Sequence, residues 1–266
     1  MYDMNGRKTA VWEDALGQRI VFDNKTFFLE SIDMTGTSGV NTVENLAFAD
    51  GQKTIRRRLG AKTISCSFSY NDIRHDEYIH KMLPKLFIPS IPGKLTVFTP
   101  TAEYSIDCSP QAVPVYSRDQ DVSFVYRWNV DFIADFPYWR KGSLQNILVS
   151  DIPTVNSNRI LTSYCPFEIA PEIYLPESNA STHIQLYALG STSKSFTVKA
   201  HENFPVRVKT LDFKVINDNT GEDQNQLIDA TAELDKILIK YGNNIVVASP
   251  IQGVRLQYYE LSMGEV

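Results

Sequence analysis

The sequence predicts a mainly β protein, with one or two short helices, built as two domains: 1–141 carrying a long β-hairpin arm at 40–59, and 142–266 forming an antiparallel β-sandwich. Three observations predict it. Across 121–135, Val122, Phe124, Tyr126, Trp128, Val130, Phe132 and Ala134 share one parity while mostly polar residues hold the other, the period of a strand buried on one face. After residue 142 one short apolar run follows another, some parted by turn signals, which favours a sandwich. In the first half a single stretch shows strong helical spacing.

In chain order, 9–13 and 19–22 read as short strands around a turn near Leu16-Gly17, and 26–34 leads into the arm. On the return side, 62–70 places Ile64, Cys66, Phe68 and Tyr70 on a core face and Thr63, Ser65, Ser67 and Ser69 on a wet one. The helix follows, capped by Asn71 or Asp72, with Ile79, Leu83 and Leu86 at helical spacing and Pro84 kinking or shortening it. Strands are then expected at 94–98, 103–108 and 112–117, the last an edge or bulged strand because of Pro114. The long strand ends at Phe136-Pro137-Tyr138-Trp139, and the polar Arg140-Lys141-Gly142-Ser143 is expected to open a linker. Beyond it, strands are expected at 167–175, 183–189, 196–200, 206–208, 211–216, 237–241, 245–248 and 254–261. Asn219-Thr220-Gly221 and Gly242-Asn243-Asn244 are expected turns, and 226–234 reads equally as a short helix or a strand.

The arm contains more strand than a core can use. If Asp50-Gly51 forms a two-residue turn, Phe48 falls opposite Lys53, Leu46 opposite Ile55 and Glu44 opposite Arg57. Val40, Val43, Leu46, Phe48, Ile55 and Leu59 are interleaved with polar groups, and Arg56-Arg57-Arg58 interrupts any continuous apolar face. A free two-stranded ribbon is marginal in water, and its open edges invite pairing with another chain. The arm therefore reads as a clasp on a neighbouring subunit; the alternative is a hairpin folded over its own domain.

Hydrophobic residues make up 43% of the chain and charged residues 21%, which excludes a disordered or fibrous class. Against 31 acidic side chains stand 26 basic ones, a net charge of -5 that argues against a dedicated nucleic-acid binder. The Arg56–Arg58 run reads as a solvated face or a local patch. No apolar run reaches a membrane span, and the first eight residues lack the pattern of a signal peptide, so synthesis and folding in a cytoplasm are expected. Cys66, Cys108 and Cys165 are odd in number and widely spaced, which points to buried thiols rather than a disulfide framework or zinc site.

No catalytic motif is present: no nucleophile elbow, P-loop, His-Glu-x-x-His or dinucleotide fingerprint occurs. His75 and His80 are too awkwardly spaced on a helix to share a metal, and His183 and His201 read as ordinary histidines. Asp131 with Asp135, or Glu168 with Glu172, would sit about 13 Å apart along a strand, too far for a glycosidase pair. The 218–223 segment fails the EF-hand pattern, because Gly221 would put Ile216 at the first ligand position. No enzyme activity, cofactor or metal is expected. Tyr138 and Trp139 suit either sugar stacking or a wedge between domains, and the wedge is preferred. Of Tyr258 and Tyr259, on opposite faces of one strand, at most one belongs to a surface platform.

Three features together carry a resemblance: the arm rejoining a Ser-rich alternating strand, the long strand running into Phe136 to Trp139, and a closing region with Tyr241-Gly242-Asn243-Asn244-Ile245 before Tyr259. The chain resembles the distal tail proteins (Dit) of siphophages and related phage tail-like particles. That resemblance implies a belt domain assembling as a ring, usually a hexamer, at the end of the tail tube, and a second, galectin-like β-sandwich domain. It implies the role of a baseplate hub, a virion structural protein in host attachment, joining the tail tube protein, tail-associated baseplate proteins and sometimes a receptor-binding protein. Residues 40–59 would embrace the next subunit, Phe136, Pro137, Tyr138 and Trp139 would mark the domain junction, and DNA would pass only in transit through the lumen, without a membrane partner. The acidic balance suits such a channel. The rival reading is a carbohydrate-binding protein using its C-terminal sandwich.

Overall fold

A computed structural model describes residues 8–34, 39–45, 52–71, 76–89, 91–118, 125–229, 231–250 and 252–264, with the side chains of 39–45, 52–59, 71, 76–80 and 116–118 outside the description. The protein is mainly β and divides into two compact units, Met1–Lys141 with Ser262–Val266, and Gly142–Leu261.

In the first unit, β1 (Thr9–Asp14), β2 (Arg19–Phe22) and β3 (Phe27–Ile32) lead to the hairpin β4 (Gly39–Asn45) and β5 (Gln52–Leu59). Then come β6 (Lys62–Asn71), α1 (Asp76–Leu86), β7 (Gly93–Phe98), β8 (Glu103–Pro110), β9 (Tyr116–Arg118) and β10 (Val125–Ala134). β6 and β10 form the longest ladder, with Ile64 opposite Phe132, Cys66 opposite Val130, Phe68 opposite Trp128 and Tyr70 opposite Tyr126, all buried. On the wet face Ser65 Oγ donates to Asp131 Oδ1 at 2.7 Å and Ser67 Oγ to Asn129 Oδ1 at 2.8 Å. These cross-strand pairs explain why serine alternates here.

Phe22 stacks on Phe68 with centroids 3.9 Å apart, and Trp12 lies against Phe132 at 4.9 Å. Leu83 and Leu86 of α1 join this core, and the Trp12 indole N–H caps the Leu86 carbonyl at 2.8 Å. The helix ends two residues after Pro84. Of its two expected caps, Asn71 closes β6 and Asp72 lies outside the described residues. Gly93 is required by a close approach, since a Cβ there would stand 2.5 Å from both the Glu13 carbonyl oxygen and the Trp12 ring.

The expected linker at Arg140 to Ser143 is instead part of a strand, β11 (Trp139–Leu148). Arg140 pairs with Ser105 and Lys141 with Tyr104, and the Arg140 guanidinium grips Asp107 through two bonds of 3.0 and 2.6 Å. That bidentate hold keeps a polar segment in a sheet.

The second unit is a sandwich. Its remaining strands are β12 (Thr154–Val155), β13 (Asn158–Ser163), β14 (Glu172–Leu175), β15 (Thr182–Ala188), β16 (Ser195–Val198), β17 (Val206–Lys209), β18 (Lys214–Asn217), β19 (Gly242–Ser249) and β20 (Arg255–Ser262). One sheet runs β12-β13-β19-β15-β16 and the facing strands run β18-β17-β14-β20-β11. Leu161, Leu186 and Val246 from the first and Ile173, Val208 and Leu256 from the second meet in one core.

Three local expectations are corrected. Gly242-Asn243-Asn244 opens β19 rather than turning the chain. Asn244 is wholly buried and takes the place of a turn's backbone bonds: its Oδ1 accepts Lys240 N at 2.8 Å, and its Nδ2 donates to Lys240 O and Gly242 O at 2.8 and 3.1 Å. The apolar 237–241 makes only a single bridge, Ile239 with Ile169, following a 3₁₀ turn at Leu234–Lys236. Among the described residues of 226–234 there is neither a longer helix nor a strand, but a 3₁₀ turn at Asn225–Leu227 and a bridge from Ile228 to Val198.

Candidate functional site

The arm is a sheet of its own: β4 pairs with β5 and, among the described residues, with no third strand. Its register differs from the one a two-residue turn predicts. Glu44 faces Lys53 rather than Arg57, Val43 faces Thr54, and Val40, Asn41 and Thr42 face Arg58, Arg57 and Arg56. Leu59 closes the base opposite Gly39, and Ile55 is the extra residue at a bulge between Thr42 and Val43. Leu46, Phe48 and Asp50-Gly51 lie outside the described residues. The physical reason is that register is strongly specified only where one face of a ribbon is buried, so turn propensity alone does not determine it here. The bulge then flips the face presented on its two sides.

The root of the arm is firmly built. Met34, just before the outgoing strand, is 1% exposed, and its carbonyl accepts the Trp139 indole N–H at 3.0 Å. Lys62, just after the returning strand, is fully buried, with its Nζ donating to the Met263 carbonyl at 2.6 Å. Residues 262–264 thus return to the first unit and engage both feet of the hairpin. Gly264 lies so close that a Cβ there would stand 2.3 Å from the Met34 carbonyl oxygen, and its φ of +115° is a conformation suited to glycine. Burial holds the Lys62 ammonium below the ordinary lysine range, opposed by the nearby Asp33 carboxylate. Lys62 shares the parity of Ile64 and Cys66, the one sequence signal that points to its burial.

Trp139 is wholly buried in the first unit's core, where its indole N–H finds the Met34 carbonyl. Pro137 is buried, Phe136 is 38% exposed, and the Phe136 and Tyr138 rings meet edge to face at 5.2 Å. Tyr258 belongs to the second unit's core.

Several of the side chains weighed for chemistry have structural roles. All three cysteines are buried and free, and burial pushes the Cys66 and Cys108 thiols up, away from the reactive thiolate. Glu168 pairs with Lys240 at 2.7 Å. Arg207 ties three strands together: its Nε donates to Asp218 at 2.6 Å and its Nη1 to Glu172 and Gln257 at 3.1 and 2.9 Å, and the bond to Asp218 holds its pKa above the ordinary value. Asn217 Oδ1 accepts the backbone N–H of Asn219 and Thr220, so the 218–223 segment is a side-chain-supported turn. His201 is buried with its ring nitrogens against the carbonyls of Lys199 and Pro176, while His75 and the His80 side chain lie outside the description. Among the described residues no group of three or more His, Cys, Asp or Glu is placed to hold a metal, and no helix is long and apolar enough to cross a membrane. A cleft of about 740 Å³ lies beside Pro176, Asn179, Glu202 and Pro250, and the hydroxyl of its Ser178 donates to the Ala180 carbonyl at 2.7 Å.

No family model and no curated protein matches the sequence. Solved structures do. The SPP1 Dit protein, described as a paradigm of the hub adsorption apparatus in phages infecting Gram-positive bacteria, superposes with a TM-score of 0.69 at 13% identity, over 96% of this chain and 99% of that one. The chain has a Dit fold. A chain of the phage P2 baseplate in its activated, calcium-bound conformation matches at TM-score 0.60 and 9% identity, over 97% of this chain and 100% of that one. A strontium-bound counterpart matches at 0.58 and 8%, over 98% and 100%. The likeness covers both units of this Dit-like chain, so the fold is shared as a whole rather than through one sandwich.

Proposed function

We propose that this protein is a non-enzymatic structural hub of a phage tail tip or baseplate. The first unit is the belt: copies associate head to tail into a hexameric ring at the distal end of the tail tube, each laying its β4–β5 hairpin on the adjoining subunit. The second unit is a galectin-like sandwich. The ring joins the tail tube protein to tail-associated baseplate proteins and a receptor-binding protein, with DNA passing through its lumen, and it is assembled in the host cytoplasm before residing in the virion.

The observation that carries this reading is a hairpin with no third strand among the described residues, mounted on a buried, hydrogen-bonded root. A rigid foot under an unpartnered ribbon is what an arm that grips something else requires. An arm-to-body contact is heterologous, and such contacts close into rings or run on as filaments. The Dit fold supports closure. Deleting residues 42–59 and measuring mass by light scattering tests it: the expected product is a folded monomer, and an undiminished oligomer would remove the arm from the assembly.

A further inference from the structure

The strands β14 and β17 of the second unit end on unlike surfaces. At one end β17 and β18 are joined by the four-residue loop 210–213, which carries Leu211 and Phe213 at 58% and 54% exposure. Phe213 has a φ of +55°, and the other non-glycine residues at positive φ among the described ones are Asn24, Asn156 and Ser157. The left-handed region is open to asparagine and costly for a bulky side chain. The loop is nonetheless firmly seated: Thr210 is 1% exposed, and its hydroxyl donates to the Pro171 carbonyl at 2.7 Å. At the neck of the loop Lys209 stands directly opposite Lys214, a pairing of like charges that weakens a sheet. Asp212 is the one carboxylate in the loop. Backbone strain, displayed apolar side chains and facing lysines all work against the isolated unit, and such local conflicts collect where a surface serves a contact.

At the other end lies the cleft. β14 runs from Glu172, opposite Lys209, to Leu175, opposite Val206, so Pro176 and Glu177 follow at the end far from the loop. The cleft of about 740 Å³ has the size that takes a small ligand. Pro176, Pro250 and Val254 give it apolar surface, and Glu177 and Glu202 are the charged residues of its lining among those described. Its wall is held in place by His201, which is 3% exposed, sets Nε2 against the Pro176 carbonyl at 3.0 Å and exchanges backbone bonds of 2.8 and 3.2 Å with Ser178.

We propose that the 210–213 loop of one copy docks in this cleft of a second copy, with Leu211 and Phe213 against Pro176 and Pro250, and Lys209 and Lys214 beside Glu177 and Glu202. Apolar side chains meet an apolar floor, and a positive neck meets a negative rim. Loop and cleft of one unit lie at opposite ends of β14 and cannot meet, so their complementarity is available only between copies. The contact is heterologous and links second units head to tail. It is separate from the β4–β5 hairpin and does not depend on it. Smaller than the roughly 800 Å² per partner of a stable interface, it is weak alone and gains strength by repetition.

The test places p-benzoylphenylalanine at position 213 of the intact chain and mixes it with isotope-labelled parent at up to about 1 mM, where even a millimolar contact is populated. Illumination is expected to join position 213 to residues 176–179 or 252–254 of the labelled copy. Lys209→Glu/Lys214→Glu in the probe-bearing chain should lower that yield about tenfold, because carboxylates then face carboxylates. Glu177→Lys/Glu202→Lys in the labelled chain should restore it to within about threefold. Phe213→Gly should leave the thermal midpoint unchanged or raised, since glycine accepts this conformation freely. The proposal is overturned by any of four results: no link between copies, a link to another part of the second copy, a yield that the charge reversals neither lower nor restore, or a lowered midpoint in Phe213→Gly, which would mean that the ring packs on its own unit. A hexamer that forms through the hairpin without this link would sink the loop-to-cleft contact alone and leave the hub reading standing.

Discussion

Two indole hydrogen bonds in the first unit allow the root of the arm to be separated from the stability of the domain. Trp139 donates to Met34 O at 3.0 Å beneath the hairpin, and Trp12 donates to Leu86 O at 2.8 Å at the end of α1. Both rings are fully buried in the same core. Replacing either by phenylalanine leaves a buried carbonyl without its donor, costing about 1–3 kcal/mol. The smaller ring leaves space that adds to the cost; about 2–4 kcal/mol in all is expected for each variant. Urea unfolding followed by tryptophan fluorescence measures that loss, and light scattering at matched concentration measures assembly. The expected outcome is similar destabilisation of both variants but weaker self-association only for Trp139→Phe, because only its carbonyl partner leads into the arm. If both variants assemble alike, the root does not orient the hairpin and the reasoning fails.

Lys62 gives a pH signature: its folded pKa lies below the unfolded value of about 10.4, so the unfolded state binds more protons between the two and stability rises with pH in that window. Lys62→Met should therefore lose ground to the parent as pH is raised from about 8 to 10, and a constant difference across urea titrations would contradict the burial of the ammonium. Arg207→Ala should cost about 1–2 kcal/mol, since its partners are partly exposed and one bond joins Asp218 while another reaches Glu172; unfolding at low and high salt should show part of that loss screened away. Gly93→Ala should cost about 1–3 kcal/mol by forcing the Trp12 ring and the Glu13 carbonyl apart, which calorimetry would register as a lower midpoint; an unchanged midpoint would mean that the contact relaxes freely.

What is legible in the sequence is periodic and local. The β6 and β10 faces can be read because Ile64, Cys66, Phe68 and Tyr70 alternate with serines, and Tyr126, Trp128, Val130, Phe132 and Ala134 with mostly polar residues, each strand buried on one side. The root of the arm cannot be read, because Lys62 on the apolar parity looks like a strand's polar start until a distant carbonyl, that of Met263, is brought to it. β11 is hidden for a similar reason: Arg140 and Lys141 read as linker until Asp107 and the Tyr104 backbone are placed opposite. Gly242-Asn243-Asn244 has turn composition, and only burial of Asn244 against Lys240 and Leu161 makes it a strand entry.

The proposed assembly requires the hairpin to find its third strand or packing surface on another copy of the chain. Native mass spectrometry of the intact protein, run over a range of concentrations, measures that claim most directly. The expected result is a closed species at six times the chain mass, persisting on dilution and lost when residues 42–59 are removed. A monomer at every concentration, with the hairpin's amides protected from hydrogen exchange in that monomer, would contradict it.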